Sequence, residues 1–175
     1  SAQVQGMQGR GSVEVGLPAC PASPACRLYE TAHALFVAKN FAECEETLEE
    51  ALRLDPKLAP ALTLKAKLAM ARNRFDIARQ CLQQAIASEP ASWYAHFLLG
   101  FQYHLQNDLQ LALPALEKAR QLNPHDARPA LYLGLTQESL GHNREAIAFY
   151  EEAMRLEEAA GKPQADTLLT YSRLL

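Results

Sequence analysis

The sequence contains few of the residues that favour β-strands. Aromatic side chains make up 7% of the 175 residues, with a single tryptophan, and β-branched residues are sparse as well. The composition therefore argues against a sheet protein. An excess of positive charge is also missing, because 17 lysines and arginines stand against 20 aspartates and glutamates. Since this balance would not attract a polyphosphate backbone, we expect no nucleic-acid partner.

Long hydrophobic stretches are absent too. No apolar run approaches the roughly 20 residues that a helix needs to cross a bilayer, so we expect a soluble chain without a membrane span. If Ser1 is the product of leader removal, the protein is secreted or periplasmic. The residues themselves leave the compartment open.

The four cysteines do not form a metal-binding pattern. Zinc sites usually bring cysteine pairs two to four residues apart, with a second pair or histidines beyond, and no such spacing occurs here. Cys44 and Cys81 lie inside helical patterns, which predicts buried thiols. Cys20 and Cys26 bracket the proline-rich stretch PASPA, where a disulfide is sterically allowed and depends on an oxidising compartment.

Catalytic and cofactor-binding motifs are missing as well. The five histidines form no HExxH motif and no pair at i, i+4 that would set two imidazoles on one metal ion. The sequence has no GxSxG, Walker or GxGxxG stretch. We therefore expect no cofactor, no metal site and no enzymatic activity.

Alanine and leucine, by contrast, fill 30 and 28 positions, which favours helix. From about residue 25 the chain also repeats itself at intervals of 34 residues. Three columns of this repeat hold small side chains, and three others hold mostly leucine or proline. The columns are Ala32, Ala66, Gly100 and Gly134; Cys44, Ala78, Ala112 and Ala146; Ala51, Ala85, Ala119 and Ala153; Leu48, Leu82, Leu116 and Tyr150; Leu54, Ser88, Leu122 and Leu156; and Pro56, Pro90 and Pro124, with Glu158 as the departure.

Each copy of the repeat reads as two helices joined by a turn. In the third copy, Leu99, Gly100 and Tyr103 share one face, which predicts the core face of that helix. The turns fall at one place in every copy, at Lys39-Asn40, Asn73-Arg74, Asn107-Asp108 and Gly141-His142. A single hairpin cannot bury its apolar face, so we expect an all-α, right-handed α-solenoid of four stacked hairpins with one concave and one convex surface.

This pattern resembles the tetratricopeptide repeat family, whose 34-residue consensus contains Leu-Gly, Tyr, Ala, an aromatic residue, Ala and Pro. The third copy is closest to that consensus, with Leu99-Gly100, Tyr103, Ala112, Ala119 and Pro124 in register. The resemblance implies four helix-turn-helix repeats at residues 25–58, 59–92, 93–126 and 127–160. A flexible or extended leader would precede them at 1–24, and a capping helix would follow at 161–175.

The resemblance also implies that ligands lie in the concave groove, which the first helix of each hairpin lines. Projection of those helices places the following side chains in the groove: Tyr29, His33, Phe36, Lys67, Met70, Tyr94, Phe97, Phe101, His104, Arg128, Leu131 and Leu135. Those of the third copy form an aromatic stripe, separate from the predicted core face of the same helix. We therefore expect this stripe to be covered, either by neighbouring helices or the N-terminal leader, or by a bound peptide or partner helix.

Two functions fit such a surface. In the first, the chain is a non-catalytic adaptor that binds a peptide or a partner-protein segment by apolar burial. The basic clamp with which some family members hold a C-terminal carboxylate is absent, since its positions hold Tyr29, His33, Leu64, Tyr94 and Leu98. In the second, the chain is a structural or oligomerisation segment. Its groove is then filled by another subunit or by its own leader, where VEVGL at 13–17 alternates as an extended strand would.

The last fifteen residues predict the capping helix. Gly161 suits the end of one helix, and Pro163 suits the first turn of the next. The apolar side of the capping helix would be formed by Leu168, Tyr171, Leu174 and Leu175. The two leucines at its end indicate either a chain cut from a longer array or an edge that contacts another subunit, which would make a homo-oligomer.

Overall fold

A computed structural model describes residues 20–162 and 165–175. Every regular element in these residues is an α-helix, which confirms the all-α class. The helices are α1 Pro24–Val37, α2 Phe41–Leu54, α3 Ala59–Ala71, α4 Phe75–Ser88, α5 Trp93–Leu105, α6 Leu109–Leu122, α7 Ala127–Ser139, α8 Asn143–Ala159 and α9 Ala165–Leu174. The VEVGL segment at 13–17 lies outside the described residues.

The helices pair in chain order and then stack. Hairpins are formed by α1 with α2, α3 with α4, α5 with α6, and α7 with α8. The second helix of each hairpin packs on the first helix of the next, and the first helices also contact one another. This arrangement is the predicted right-handed solenoid, with α1, α3, α5 and α7 on its concave side.

The turn inside each hairpin uses a residue in the left-handed backbone region. Lys39, Asn73, Asn107 and Gly141 have φ angles of 61°, 58°, 62° and 83°, and they are spaced by 34 residues. The residue after each of them donates its N–H to a carbonyl five residues earlier, as in the bond from Asp108 to Tyr103 at 2.8 Å. This Schellman geometry satisfies carbonyls that the helix end leaves open, and it confirms the turns predicted from the sequence.

The small-residue columns set how closely the two helices of a hairpin approach. Ala32 and Ala66 have no exposed surface, and the glycines of the same column lie against the large residue of the facing helix. A Cβ atom on Gly100 would lie 2.6 Å from Cγ of Leu116, and one on Gly134 would lie 2.5 Å from Cε1 of Tyr150. Glycine in this column therefore permits the closest helix approach.

A disulfide joins Cys20 to Cys26 where the described chain begins. Cys26 lies in the first turn of α1 and is buried, and Cys20 packs against the apolar core of the first hairpin. Ser23 caps α1 by accepting a hydrogen bond from the Cys26 N–H at 3.1 Å, next to Pro24 at the first helical position. The entry of the chain into the solenoid is thus fixed on the first hairpin.

The last helix, α9, packs against α8. Thr167 is fully buried and donates a hydrogen bond to Glu157 at 2.8 Å, while Arg173 reaches Glu138 at 2.6 Å. Leu175 follows the last residue of α9 and is 79% exposed. Side-chain hydrogen bonds thus help to attach α9 to the last hairpin, which the pattern of apolar residues in α9 does not indicate. The side chain of Leu168 is not among those that the structure describes.

We predict that Gly100→Ala destabilises the protein by about 1–3 kcal/mol, although alanine favours helix over glycine by about 1 kcal/mol. The added methyl would clash with Leu116, including its backbone nitrogen at 3.0 Å. Urea unfolding followed by circular dichroism measures the change.

Gly141→Ala is the matched control, because nothing lies within 4 Å of a Cβ atom there and only the positive φ opposes alanine. Its expected cost is about 1 kcal/mol. If the helix contact is the cause, the double variant Gly100→Ala, Leu116→Ala loses less stability than the sum of its two single changes. Additive losses would contradict this account of the glycine column.

Candidate functional site

A groove crosses the first helices of all four hairpins on the concave side. Its volume is about 330 Å³. Most of its lining residues are aromatic or have long, flexible side chains. They are Phe36, Lys67, Met70, Tyr94, Phe97, Leu98, Phe101, Arg128 and Tyr132. This lining contains two cations and no carboxylate, so the surface combines apolar area with positive charge.

Aromatic rings from α5 and α7 form a continuous cluster in the groove. The ring centroid of Phe97 lies 6.1 Å from those of Tyr94 and Phe101. Tyr132 packs edge-on against the ring of Phe97 at 5.6 Å and that of Phe101 at 4.9 Å. These separations and the edge-on angles are favourable for aromatic pairs, so the cluster holds the third and fourth hairpins together.

The aromatic stripe of α5 is largely covered by the neighbouring hairpin. Tyr94 and Phe97 are only 4% and 5% exposed, while Phe101 is half-buried. Tyr132 and Arg128 of the next hairpin pack against these rings. The exposed part of the stripe is therefore limited, and two of its rings contribute to the core.

The predicted core face of α5 is only part of its buried surface. Gly100 is buried and Leu99 and Tyr103 pack, half-buried, against the core, but Ala95, Leu98 and Gln102 are buried as well. The physical reason is that α5 contacts α3, α4, α6 and α7, so most of its circumference faces protein. A projection that assigns one apolar face to a helix cannot describe a helix with neighbours on several sides.

Two cations lie over the aromatic rings of the groove. The Lys67 ammonium is 5.2 Å from the ring centroid of Phe36 and 5.4 Å from that of Tyr94. The Arg128 guanidinium carbon lies 5.1 Å from the Trp93 ring and also 5.4 Å from the Tyr94 ring. These are cation–π distances. Because both cations lie 5.4 Å from the centroid of the Tyr94 ring, the distance between them is no more than twice that value.

The Arg128 guanidinium is held in place by Asp126. Its Nε and Nη2 atoms donate to the two carboxylate oxygens at 3.0 Å each, and the same carboxylate accepts the Arg128 backbone N–H at 3.0 Å. Asp126 thereby caps α7 and orients the arginine at once. The cation is positioned over the rings before any ligand binds.

His104 is neutral in this fold, and its proton can be placed. Its Nδ1 lies 3.0 Å from the Thr136 hydroxyl oxygen, and that hydroxyl donates to the Tyr132 carbonyl at 2.7 Å. Because the hydroxyl has only one hydrogen, it must accept from Nδ1–H of His104. Burial lowers the pKa of His104 below its usual value.

The structure brings most of the predicted groove residues together and leaves others outside. Those that line the groove are Phe36, Lys67, Met70, Tyr94, Phe97, Phe101 and Arg128. Tyr29 instead belongs to the core of the first hairpin, with the ring of His33 beside it at 6.1 Å. His104, Leu131 and Leu135 are half-buried and do not line the groove.

Two lining residues, Leu98 and Tyr132, were not placed in the groove by the projection, and Leu98 was named only as a position of the absent clamp. They share the 34-residue column of Leu64, which also is buried. Leu98 and Tyr132 each follow a projected groove position, Phe97 or Leu131, by one residue. The recurrence of a large apolar residue at this place in the repeat is the signal that would have indicated them. The projection omitted that column because it lies between the two assigned faces.

The remaining cysteines carry no site. Cys44 and Cys81 are buried free thiols, and burial raises the pKa of each. In the described part of the chain, no group of three or more His, Cys, Asp or Glu side chains is arranged to hold a metal ion. Over the same residues, no helix combines the length and apolarity needed to cross a membrane.

The tetratricopeptide repeat family model matches residues 63–127 and 106–163, which together cover more than half of the chain. No curated protein sequence gives a match.

Several solved structures share the fold. PilF of Pseudomonas aeruginosa superposes with a TM-score of 0.80 at 22% identity, over 86% of this chain and 67% of that one. MamA gives 0.72 at 23% identity, over 81% and 82% of the two chains. YrrB, described as a TPR protein with an unusual peptide-binding site, gives 0.69 at 19% identity, over 86% and 75%. At these identities the likeness establishes the fold alone.

We predict that stability contributed by His104 is lost on acidification. Its pKa is lowered in the folded chain and about 6.5 in the unfolded chain. Between the two values the unfolded state binds more protons, so the free energy of unfolding falls as pH decreases through that window. Above pH 6.5 the contribution is fully present.

Urea unfolding of wild type and His104→Gln from pH 7.5 to pH 5.5 measures this effect. We expect the stability difference between the two proteins to shrink as pH falls, because only the wild type has the histidine to protonate. A difference that stays constant over the range would show that His104 is not held neutral.

Proposed function

Because the chain belongs to the tetratricopeptide repeat family, a protein-interaction fold, we propose that it is a non-catalytic adaptor whose concave groove binds an extended protein segment. The observation that carries this proposal is the groove itself, which spans four helices and has an aromatic lining with two cations. Apolar concave surfaces with a few placed polar groups are typical ligand sites. The peptide-binding site attributed to YrrB supports the same use of this fold.

The lining favours a particular kind of segment. Met70 and Phe101 are half-buried and so retain surface on which apolar side chains can pack. Lys67 and Arg128 attract a carboxylate, and no lining residue repels one. A segment with an acidic residue between apolar residues meets both requirements.

We predict that the 175-residue chain prefers such peptides on an array of acetylated nonapeptides. Each peptide carries a central Glu, Gln or Lys flanked by two Val, Leu or Phe residues. Because Lys67 and Arg128 favour a carboxylate, binding should decrease in the order Glu, Gln, Lys. Isothermal titration calorimetry on the best Glu peptide should show at least a tenfold weaker affinity for Lys67→Glu and for Phe101→Ser.

Matched controls separate groove contacts from general effects. Lys65→Glu changes the same charge on the same helix, but Lys65 lines a different cavity, with Glu45 and Arg72. Leu111→Ser removes an apolar side chain that is 54% exposed on α6. Both controls should bind like wild type. Phe97 is unsuitable because its burial makes an alanine variant about 3–5 kcal/mol less stable. Equal binding by groove and control variants would refute the proposal.

A further inference from the structure

The chain itself contains a segment of the kind that the groove favours. Residues 1–19 lie outside the described structure and include a single acidic residue, Glu14. It stands between Val13 and Val15, and Leu17 follows two positions later. In an extended conformation, Val13, Val15 and Leu17 face one side and Glu14 faces the other. This segment thus offers apolar side chains on one face and one carboxylate on the opposite face, so a concave groove can contact both from its two walls.

We propose that residues 13–17 of the chain bind in its own groove, with the Glu14 carboxylate between Lys67 and Arg128 and the valines on the aromatic lining. The inference rests on the proposed function of the groove and names its first occupant. Charge favours this assignment, because the lining has two cations and no carboxylate, although Asp126 beside the groove already shares the Arg128 guanidinium. Both cations lie 5.4 Å from the Tyr94 ring centroid, so a carboxylate beside that ring is near each of them.

The place where the segment joins the fold allows this contact. Cys20 is bonded to Cys26 and packs on the first hairpin, whose helix α1 neighbours α3, the helix that carries Lys67. Neighbouring helix axes are usually about 8–10 Å apart. From Cys20 back to Glu14 the chain has six residues, which span about 20 Å when extended. Lys67 contacts Phe36, which lies about 15 Å along α1 from the disulfide-bonded Cys26. The extended segment is therefore long enough for Glu14 to approach Lys67.

Because the segment is attached close to the groove, even a weak intrinsic affinity is sufficient for it to occupy the groove. A segment attached close to its site has an effective concentration in the millimolar range. The disulfide keeps the attachment point on the first turn of α1, which limits the volume that the segment can explore. A partner peptide must then compete with the bound segment. Its apparent affinity is the intrinsic affinity multiplied by the fraction of molecules whose groove is empty.

Energy transfer from Trp93 tests the proposal in the chain that contains residues 1–175. Trp93 is the only tryptophan and lies under Arg128 at the groove. A dansyl group is attached to a Ser12→Cys variant, with the Cys20–Cys26 bond verified by mass spectrometry. We expect strong transfer in this protein, and at least a twofold loss when Glu14→Lys or Lys67→Glu is added.

The charge swap makes the test specific. The combination of Glu14→Lys with Lys67→Glu restores an attractive pair, so transfer should recover, whereas Lys65→Glu should leave it unchanged throughout. The proposal is overturned if energy transfer does not change in any of these variants. It is also overturned if the combination of Glu14→Lys with Lys67→Glu does not restore the transfer. Transfer that rises with protein concentration also overturns it, because the groove would then hold the segment of a second copy.

Failure of this proposal can be told apart from failure of the proposed function. If transfer is insensitive to the charge changes while Lys67→Glu still weakens binding of the Glu-centred peptides, the groove binds partners and self-occupancy is wrong. If neither measurement responds to Lys67→Glu, the groove function is wrong as well.

Discussion

The close approach of the two helices in each hairpin is the constraint on which the rest of the structure depends. Columns of alanine and glycine at 34-residue intervals are buried and let the backbones come together, and Gly100 lies directly against Leu116. Where the facing residue is Tyr150, the small residue is Gly134, with space for no side chain. The hairpins can stack only because this contact repeats with little variation.

That stacking also produces the groove. When first helices stand side by side on the concave surface, their outward side chains fall into rows across the array. Here the rows place rings beside cations, with Lys67 between Phe36 and Tyr94, and Arg128 over Tyr94. No single helix contains this alternation. It arises from four copies of the repeat whose groove positions differ in chemistry while their packing positions stay alike.

The sequence predicted those features that repeat and missed those that occur once. The small-residue columns and the turns recur in every copy, so their meaning was visible from spacing alone. The burial of Gln102 was not, because its partner is the Phe75 carbonyl at 2.7 Å, a contact between two hairpins that no pattern within one helix reveals. Tyr132 was missed for a related reason, since its role depends on rings contributed by α5.

The neighbour-to-neighbour arrangement of the helices has a mechanical consequence. Each hairpin packs chiefly against the one before and the one after it, so a small rotation at every junction accumulates along the array. The curvature can then change substantially while each junction shifts only slightly. The width of the concave surface is therefore set by all the junctions together and not by any single hairpin.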